Sequence, residues 1–214
     1  MTSDKIRILY VDDYQLDREL VRDSLEKEHG GFEVTEASDR HEFDALLKNR
    51  TFDVVLSDFN IAGFEGLQVI AAVRKHNPSM PVIIVTGTGS EEIAVMALKQ
   101  GASDYVLKRP NHIRRLPQTI LAALEKQILK NEHQKDQIAL MESEKRYRSL
   151  FENMMNGYAY CRMLFDRNGP KDFIFIDVNM AFETTTGLKN VAGKKASEVI
   201  PGILGRVESW LWRL

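Results

Sequence analysis

The sequence predicts an open, doubly wound α/β sheet over residues 1–128, followed by a helical segment and a second, smaller unit. Short apolar runs alternate with amphipathic helical patterns, and three runs are rich in β-branched residues, as parallel strands buried on both faces are. Five strand-then-helix units in this length favour that fold class. The runs are residues 6–11, 32–37, 53–57, 82–86 and 104–108.

Helical patterns fill the intervals between these runs. Asp39 and Glu42 have the spacing of a capping box at the start of the second helix. The third helix is expected to end at Asn77, because Pro78 follows it. Ser90 is expected to cap the fourth helix.

A long helical pattern follows the last strand, without Gly or Pro over residues 118–156. One long helix and two joined helices both fit this pattern. Residues 130–137 are polar on every side, so no strong coiled coil is predicted there. An apolar stripe predicts that the fifth helix packs on the sheet through Ile113, Leu116, Ile120, Leu124 and Ile128.

A second unit is expected from Gly157 onward. Residues 157–166 and 172–179 predict two strands joined by a turn, and a short helix is expected to end at Gly187. The tail, residues 204–214, has a helical repeat. Two strands in about 58 residues are too few for a self-contained core, so we expect this unit to be incomplete at residue 214.

Composition excludes several classes of function. Hydrophobic residues make up 43% of the 214 residues, charged residues 28%, and the formal net charge is −2. This balance predicts no direct contact with nucleic acid or an anionic membrane. The single Cys161 excludes an intrachain disulfide and a multi-Cys zinc site, and we expect a cytoplasmic protein.

Polar side chains stand where the predicted strands end. Asp12 and Asp13 follow the first strand and Asp58 follows the third, while Thr86 ends the fourth and Lys108 the fifth. Ligands of open α/β sheets bind outside the carboxyl ends of the strands. The flavodoxin-like strand order 2-1-3-4-5 would bring these five residues to one edge.

Three carboxylates packed together repel one another unless a cation compensates them. Mg²⁺ prefers oxygen ligands and commonly binds one or two carboxylates together with phosphate. We therefore expect Asp13 and Asp58 to bind Mg²⁺ directly and Asp12 to act through water. The backbone carbonyl of Asn60 is a further candidate ligand.

Lys108 and Thr86 complete a site suited to phosphoryl transfer. An ammonium can pair with phosphoryl oxygens and a hydroxyl can donate to one, and this chemistry needs mainly positioning and charge neutralisation. Singly, Asp13 could cap a helix, Thr86 could belong to a turn, and Lys108 could be a solvated edge residue. Their joint placement favours the site.

These residues lie in four motifs, ILYVDD, LSDFNIAGFEG, VIIVTGTG and DYVLK. With them, the chain from about residue 4 to 128 resembles the receiver domain of two-component response regulators. The resemblance implies that Asp58 accepts a phosphoryl group from a histidine kinase and that Asp12 and Asp13 help to hold Mg²⁺. Such a domain is a switch that phosphorylates and dephosphorylates itself.

The resemblance also implies how the switch acts. Thr86 is the switch hydroxyl, Tyr105 is the switch aromatic, and Lys108 contacts the phosphoryl group. Thr86 would move toward the phosphoryl oxygens and Tyr105 would turn into the space it leaves. The fifth helix could then carry the change onward.

The chain departs from the family pattern next to Lys108. The family usually has Pro directly after this Lys, joined through a cis bond, whereas here Arg109 precedes Pro110. A cis Lys108–Arg109 bond would cost about 2.5–4 kcal/mol, and its geometry stays open at this point. Ile61-Ala62 also stand where the family often has Met-Pro.

The second unit resembles the first half of a PAS sensory domain over residues 146–205, through ENMMNG, the strand pair and VNMAFETTTG. The predicted domains are a receiver at 1–128, a helical linker at 129–145, and the N-terminal part of a PAS domain at 146–214. A His-ligated haem is excluded in the PAS part, since no His follows His133, and Cys161 lacks the Asn-Cys-Arg-Phe motif of flavin-binding relatives. If the chain dimerises, the linker helix or the PAS region is the predicted contact.

Two other classes of function fit the sequence less well. A fragment of a hybrid sensor histidine kinase or a cyclase would have its catalytic domain beyond residue 214, but no Gly-rich ATP-binding segment or phosphorylatable-His context is seen here. A phosphatase-like hydrolase would want a second acid two residues after Asp58, where Asn60 stands.

Overall fold

The computed structural model of the chain describes residues 5–26, 31–87, 91–167 and 169–203. The chain folds as two compact units, residues 1–135 and 136–214. Within the described residues no helix is both long enough and apolar enough to cross a bilayer.

The first unit is built on a five-stranded parallel sheet with the order β2-β1-β3-β6-β7. Its strands are β1 (Ile6–Val11), β2 (Phe32–Ala37), β3 (Val54–Ser57), β6 (Val82–Thr86) and β7 (Asp104–Leu107). Counted along the parallel strands this is the order 2-1-3-4-5, so the predicted fold class is confirmed. A two-residue hairpin, β4 (Asn60–Ile61) with β5 (Phe64–Glu65), follows β3 and was not predicted.

Side-chain alternation along the strands builds two core layers. Leu9, Val11 and Val55 are buried on one face of the sheet, with apolar residues of the helices Arg40–Asn49, Gly66–His76 and Glu91–Lys99. Ile8 and Tyr10 are buried on the other face, with residues of the helices Gln15–Glu26 and Leu116–Glu152. Successive side chains of a strand point to opposite faces, so an uninterrupted apolar strand needs both layers.

The helices that accompany this sheet in the described part of the chain are α1 (Gln15–Glu26), α2 (Arg40–Asn49), α3 (Gly66–His76), α4 (Glu91–Lys99), α5 (Pro110–Ile113) and α6 (Leu116–Glu152). Asn77 is the C-terminal cap of α3, as expected: its backbone N–H makes the last helical hydrogen bond, to the Val73 carbonyl, and Pro78 has no N–H to continue the helix. The cap predicted at Ser90 lies outside the described residues.

The capping box predicted for α2 is present in part. Asp39 Oδ1 accepts a hydrogen bond from the backbone N–H of Glu42 at 2.9 Å. The Glu42 carboxylate, however, accepts from the backbone N–H of Ser38 at 2.8 Å. The second half of the box thus closes one residue earlier than the usual pattern.

The helical pattern after β7 forms the short α5 and one long helix, α6, which begins in the first unit and ends in the second. Ile113, Leu116 and Ile120 are buried as predicted, but Ile128 is 58% exposed, so its assignment to the core was wrong. Ile128 lies twelve residues after Leu116, a distance of about 18 Å along the helix. A strand of five or six residues is about as long, so the helix reaches the end of the sheet near Ile128. Ile128 therefore lies past the end of the sheet.

The second unit contains the predicted strand pair. β8 (Ala159–Asp166) and β9 (Gly169–Val178) pair antiparallel, and α7 (Met180–Thr186) and α8 (Ala196–Val199) follow. The α7 helix ends at Gly187, whose φ of 73° is the left-handed conformation that favours glycine at a helix end. Phe175, Val191 and Ala196 form the small buried core of the second unit. The helical repeat predicted for residues 204–214 lies outside the described residues.

A buried carboxylate joins β9 to α8. Asp172 is 6% exposed and accepts hydrogen bonds from Ser197 Oγ at 2.6 Å and from the backbone N–H of Phe173 at 2.8 Å. Burial pushes the pKa of Asp172 upward, but the hydrogen bonds of Ser197 and Phe173 outweigh it and the pKa lies below its usual value. The folded unit therefore favours the ionised carboxylate.

We predict that Asp172→Asn destabilises the β8–β9 region by about 2 kcal/mol, the range for hydrogen bonds to a charged group. Because the folded pKa is depressed, the stabilisation is complete above the unfolded value, about 3.9, and is lost as pH falls through the folded value. Hydrogen exchange of β9 amides measures both effects. Asp177→Asn, an exposed change on the same strand, is the matched control; equal protection in the two variants would contradict the prediction.

Candidate functional site

The predicted polar residues meet at the carboxyl edge of the parallel sheet. The Asp58 backbone N–H donates to the Val11 carbonyl at 2.9 Å, which places Asp58 beside the end of β1. The Lys108 backbone N–H donates to the Thr86 carbonyl at 2.9 Å, which places Lys108 beside the end of β6. Strand pairing thus carries residues distant in sequence to one edge, as the sequence predicted.

The ammonium of Lys108 is the centre of the site. Its Nζ lies 2.5 Å from Asp12 Oδ2, 2.7 Å from Asp17 Oδ2 and 3.1 Å from Asp58 Oδ2. The Lys108 side chain is only 2% exposed. Burial alone would lower the pKa of Lys108, but its bonds to Asp12 and Asp17 raise it above the usual value. Lys108 is therefore held as the ammonium, with hydrogen bonds to Asp12 and Asp17 and an ion pair with Asp58.

Asp58 is partly desolvated, with a side chain 13% exposed. Its Oδ1 accepts a hydrogen bond from the backbone N–H of Phe59 at 2.6 Å, while its Oδ2 faces Lys108. Burial raises the pKa of Asp58 above the usual value, and the nearby Lys108 ammonium offsets part of this rise. A carboxylate in this setting is held in place by one donor on each oxygen.

Asp12 is fully buried and held from several sides. The Tyr10 hydroxyl donates to Asp12 Oδ2, and the backbone N–H of Tyr14 donates to Asp12 Oδ1 at 3.0 Å. Arg18 donates to the Asp12 backbone carbonyl at 2.6 Å. Burial, and then the Asp12 carboxylate, raise the pKa of Tyr10, so its hydroxyl stays a donor.

Asp13 lies in the loop after β1, and Asn60 lies in the hairpin after β3. Asp13 is exposed, and its Oδ2 accepts a hydrogen bond from the backbone N–H of Ala62 at 3.0 Å. Asn60 is exposed in β4. The contact of Asp13 with Ala62 ties the loop after β1 to the hairpin after β3.

Thr86 and Tyr105 occupy the β6–β7 side of the edge. Thr86 is 1% exposed. Tyr105 packs against the core layer that contains Val11 and Ile84, and its hydroxyl oxygen is buried without a hydrogen-bond partner among the described residues. Burial raises the pKa of Tyr105. Both residues therefore stand close to the interior, where a small rearrangement changes their packing.

The peptide bond between Lys108 and Arg109 is trans, as are all described peptide bonds. The geometry that the sequence left open is thus settled without a strained bond. Pro110 instead begins α5 at its first position, where its missing N–H is not needed.

Sequence reasoning missed Asp17. It lies in the first turn of α1, and its carboxylate is 29% exposed. An acid in the first turn of a helix usually complements the helix dipole, so its position in the helix is no reason to assign Asp17 to the site. The available signal was that α1 starts directly after Asp12 and Asp13, so its first turn lies at the same edge.

The carboxylate oxygens of Asp12, Asp17 and Asp58 lie within 4.8 Å of one another. Such an oxygen-rich, acidic group matches the ligand preference of Mg²⁺, so these residues could hold a metal ion. The donor set fits the ion that the sequence predicted, although Asp17 takes part in the cluster and Asp13 does not.

Comparison with known proteins agrees with this geometry. The family described as "Response regulator receiver domain" matches residues 8–121, and "PAS domain" matches residues 145–214. The transcriptional regulatory protein ZraR of Salmonella typhimurium is 36% identical over 124 residues, which is 58% of this chain and 27% of ZraR. This chain thus spans about a quarter of that relative's length.

Solved receiver structures share the fold. A CheY-like receiver domain protein from Methanospirillum hungatei is 31% identical with a TM-score of 0.52, over 59% of this chain and 99% of that one. The beryllofluoride-activated NtrC4 receiver domain dimer is 30% identical with a TM-score of 0.50, over 56% of this chain and 98% of that one. With a matching family over more than half of its length, the chain belongs to the response regulator receiver domain family.

Proposed function

We propose that the first unit is a phosphorylation switch in which Asp58 accepts a phosphoryl group from a histidine kinase. The observation that carries this proposal is the buried Lys108 ammonium, 3.1 Å from Asp58 Oδ2 at the carboxyl edge of the sheet. A cation fixed beside a partly exposed carboxylate prepares that carboxylate for a group that adds negative charge.

The transfer is a displacement at phosphorus. An oxygen of the Asp58 carboxylate attacks the phosphorus of a phosphohistidine, the P–N bond breaks, and its electron pair returns to the imidazole. The product is an acyl phosphate on Asp58. Lys108 pairs with the phosphoryl oxygens and the Thr86 hydroxyl donates to one of them, so the chain supplies charge and orientation without a separate base.

The ligands proposed for Mg²⁺ are Asp12, Asp13, Asp58 and the Asn60 carbonyl, and the grouping of carboxylates at this edge supports a cation there. Bound there, the ion supplies positive charge that offsets the carboxylates and the phosphoryl oxygens.

The proposed output runs from the switch residues into the helix. Phosphorylation of Asp58 draws Thr86 toward the phosphoryl oxygens, Tyr105 moves into the space this leaves, and the change passes through α6 to the PAS region. This route runs from the proposed receiver, residues 1–128, through the helical linker, residues 129–145, to the PAS part, residues 146–214. Two copies could pair through the helix or the PAS region, and the dimer reported for the NtrC4 receiver supports a paired active form.

A titration with a phosphoryl analogue tests the proposed function. Beryllofluoride, which activates the NtrC4 receiver, should bind the full chain in the presence of Mg²⁺ and should not bind Asp58→Ala. Asp23→Ala, an exposed acid on α1, is the matched control and should bind as the wild type does. Equal binding by the wild type and Asp58→Ala would contradict the assignment of Asp58.

A further inference from the structure

The Lys108 ammonium lies against three carboxylates, those of Asp12, Asp17 and Asp58. The proposed phosphoryl transfer gives Asp17 no role. Lys108 Nζ lies 2.7 Å from Asp17 Oδ2, closer than the 3.1 Å to Asp58 Oδ2. An ammonium has three N–H donors, and Lys108 donates to Asp12 and to Asp17 while Asp58 Oδ2 lies 3.1 Å from the same nitrogen. A phosphoryl group on Asp58 must therefore share this ammonium with Asp12 and Asp17.

Asp12 and Asp17 hold Lys108 in different ways. Asp12 is fully buried and receives further bonds from Tyr10 and Tyr14. Asp17 stands on the first turn of α1 and is 29% exposed, so water can solvate it when Lys108 moves. Of the two, Asp17 is the partner from which a donor is more easily withdrawn.

We propose that Asp17 is a positioning residue that shares the Lys108 ammonium with the phosphoryl acceptor and so weakens the hold of the site on a phosphoryl group. This inference rests on the proposed function of Asp58. In the unmodified protein Asp17 draws Lys108 toward α1. Once Asp58 carries a phosphoryl group, Asp17 competes with the phosphoryl oxygens for the same ammonium and adds a negative charge next to them.

The carboxylate of Asp17 therefore lowers the affinity of the site for a phosphoryl group. Asp17→Asn keeps the shape of the side chain and removes its charge. An amide oxygen accepts a weaker bond from an ammonium than a carboxylate does, since charge-assisted hydrogen bonds are about twice as strong as neutral ones. Lys108 is then freer to pair with phosphoryl oxygens.

The test is the affinity of the full chain for beryllofluoride at saturating Mg²⁺. Asp17→Asn should bind about fivefold more tightly than the wild type, the size expected for about 1 kcal/mol of relieved competition. Asp17→Glu, which keeps the carboxylate, should return to the wild-type affinity. Asp23→Asn makes the same charge change further along α1, at an exposed position, and should bind like the wild type.

A purely structural role would give a different pattern, because a damaged site loses affinity and does not gain it. Unchanged or weaker binding by Asp17→Asn would overturn the inference, and weaker binding together with weaker Mg²⁺ affinity would make Asp17 a metal ligand. If the wild type itself failed to bind beryllofluoride, the proposed function would fail first.

A double-mutant cycle on thermal unfolding then examines the contact alone. Asp17→Asn and Lys108→Met should be less damaging together than the sum of their separate effects. If the two effects on the free energy of unfolding simply add, the two side chains do not interact. The inference then fails even if Asp58 accepts a phosphoryl group.

Discussion

Replacing Lys108 by Met should lower the free energy of unfolding of the first unit by about 3 kcal/mol, at the lower end of the range for breaking a buried ion pair. The side chain is 2% exposed and lies against Asp12, Asp17 and Asp58. Met preserves most of the volume, so the loss comes from leaving adjacent carboxylates without their cation. Denaturant unfolding in a chelating buffer measures it.

Mg²⁺ should restore part of the stability of Lys108→Met, because a divalent cation can offset the same carboxylates. The added ion should thus raise the unfolding midpoint of this variant more than that of the wild type. Lys48→Met removes an exposed Lys from α2 and is the control. If Lys108→Met were as stable as Lys48→Met in chelator, the central place given to Lys108 would be wrong.

Gly66→Ala should destabilise the first unit by about 2 kcal/mol and displace Asp58. A Cβ on Gly66 would lie 2.7 Å from the Asp58 carbonyl oxygen and 3.0 Å from the Phe59 Cα. Both atoms belong to the backbone, so no side-chain rotation relieves the contact. The segment after β3 must shift, and this changes the distance from Asp58 to Lys108.

Two measurements separate the parts of this prediction. Denaturant unfolding reports the loss of stability, and beryllofluoride affinity reports the displacement of Asp58. Gly31→Ala is the matched control, because no atom of the described residues lies within 4 Å of a Cβ at Gly31 and its φ lies outside the positive range. A Gly66→Ala variant with the stability and the affinity of Gly31→Ala would show that the segment tolerates the side chain.

Much of the sheet was predictable because its signal is local and repeated. The runs 6–11, 32–37 and 82–86 became strands with the predicted bounds. Buried parallel strands need apolar side chains on both faces, and few other elements use such short β-branched runs. The hairpin β4–β5 escaped prediction because two-residue strands show no periodicity.

The candidate site was predictable as far as strand ends define it. Asp12, Asp58 and Lys108 each follow a strand directly, so the strand order alone brings them together. Asp17 contacts Lys108, and Asp13 contacts the Ala62 backbone, because of the direction that the chain takes after β1. The spacing of apolar residues in the sequence indicates where a helix lies, but it does not indicate that direction.

Ile128 shows a second limit of the same kind. Its spacing from Leu116 and Ile120 is that of one helix face, but a helix can outrun the sheet on which it packs. The pattern defines the face of the helix, and the length of the strands decides how much of that face is covered.

The assignment of Asp58 is tested most directly by locating the residue to which a phosphoryl group attaches. After incubation of the full chain with acetyl phosphate and Mg²⁺, mass spectrometry should find one added phosphoryl group, on the peptide that contains Asp58. Asp58→Asn should acquire none under the same conditions. A phosphoryl group located on another residue of the wild-type chain, or acquired equally by Asp58→Asn, would contradict the claim that Asp58 is the acceptor.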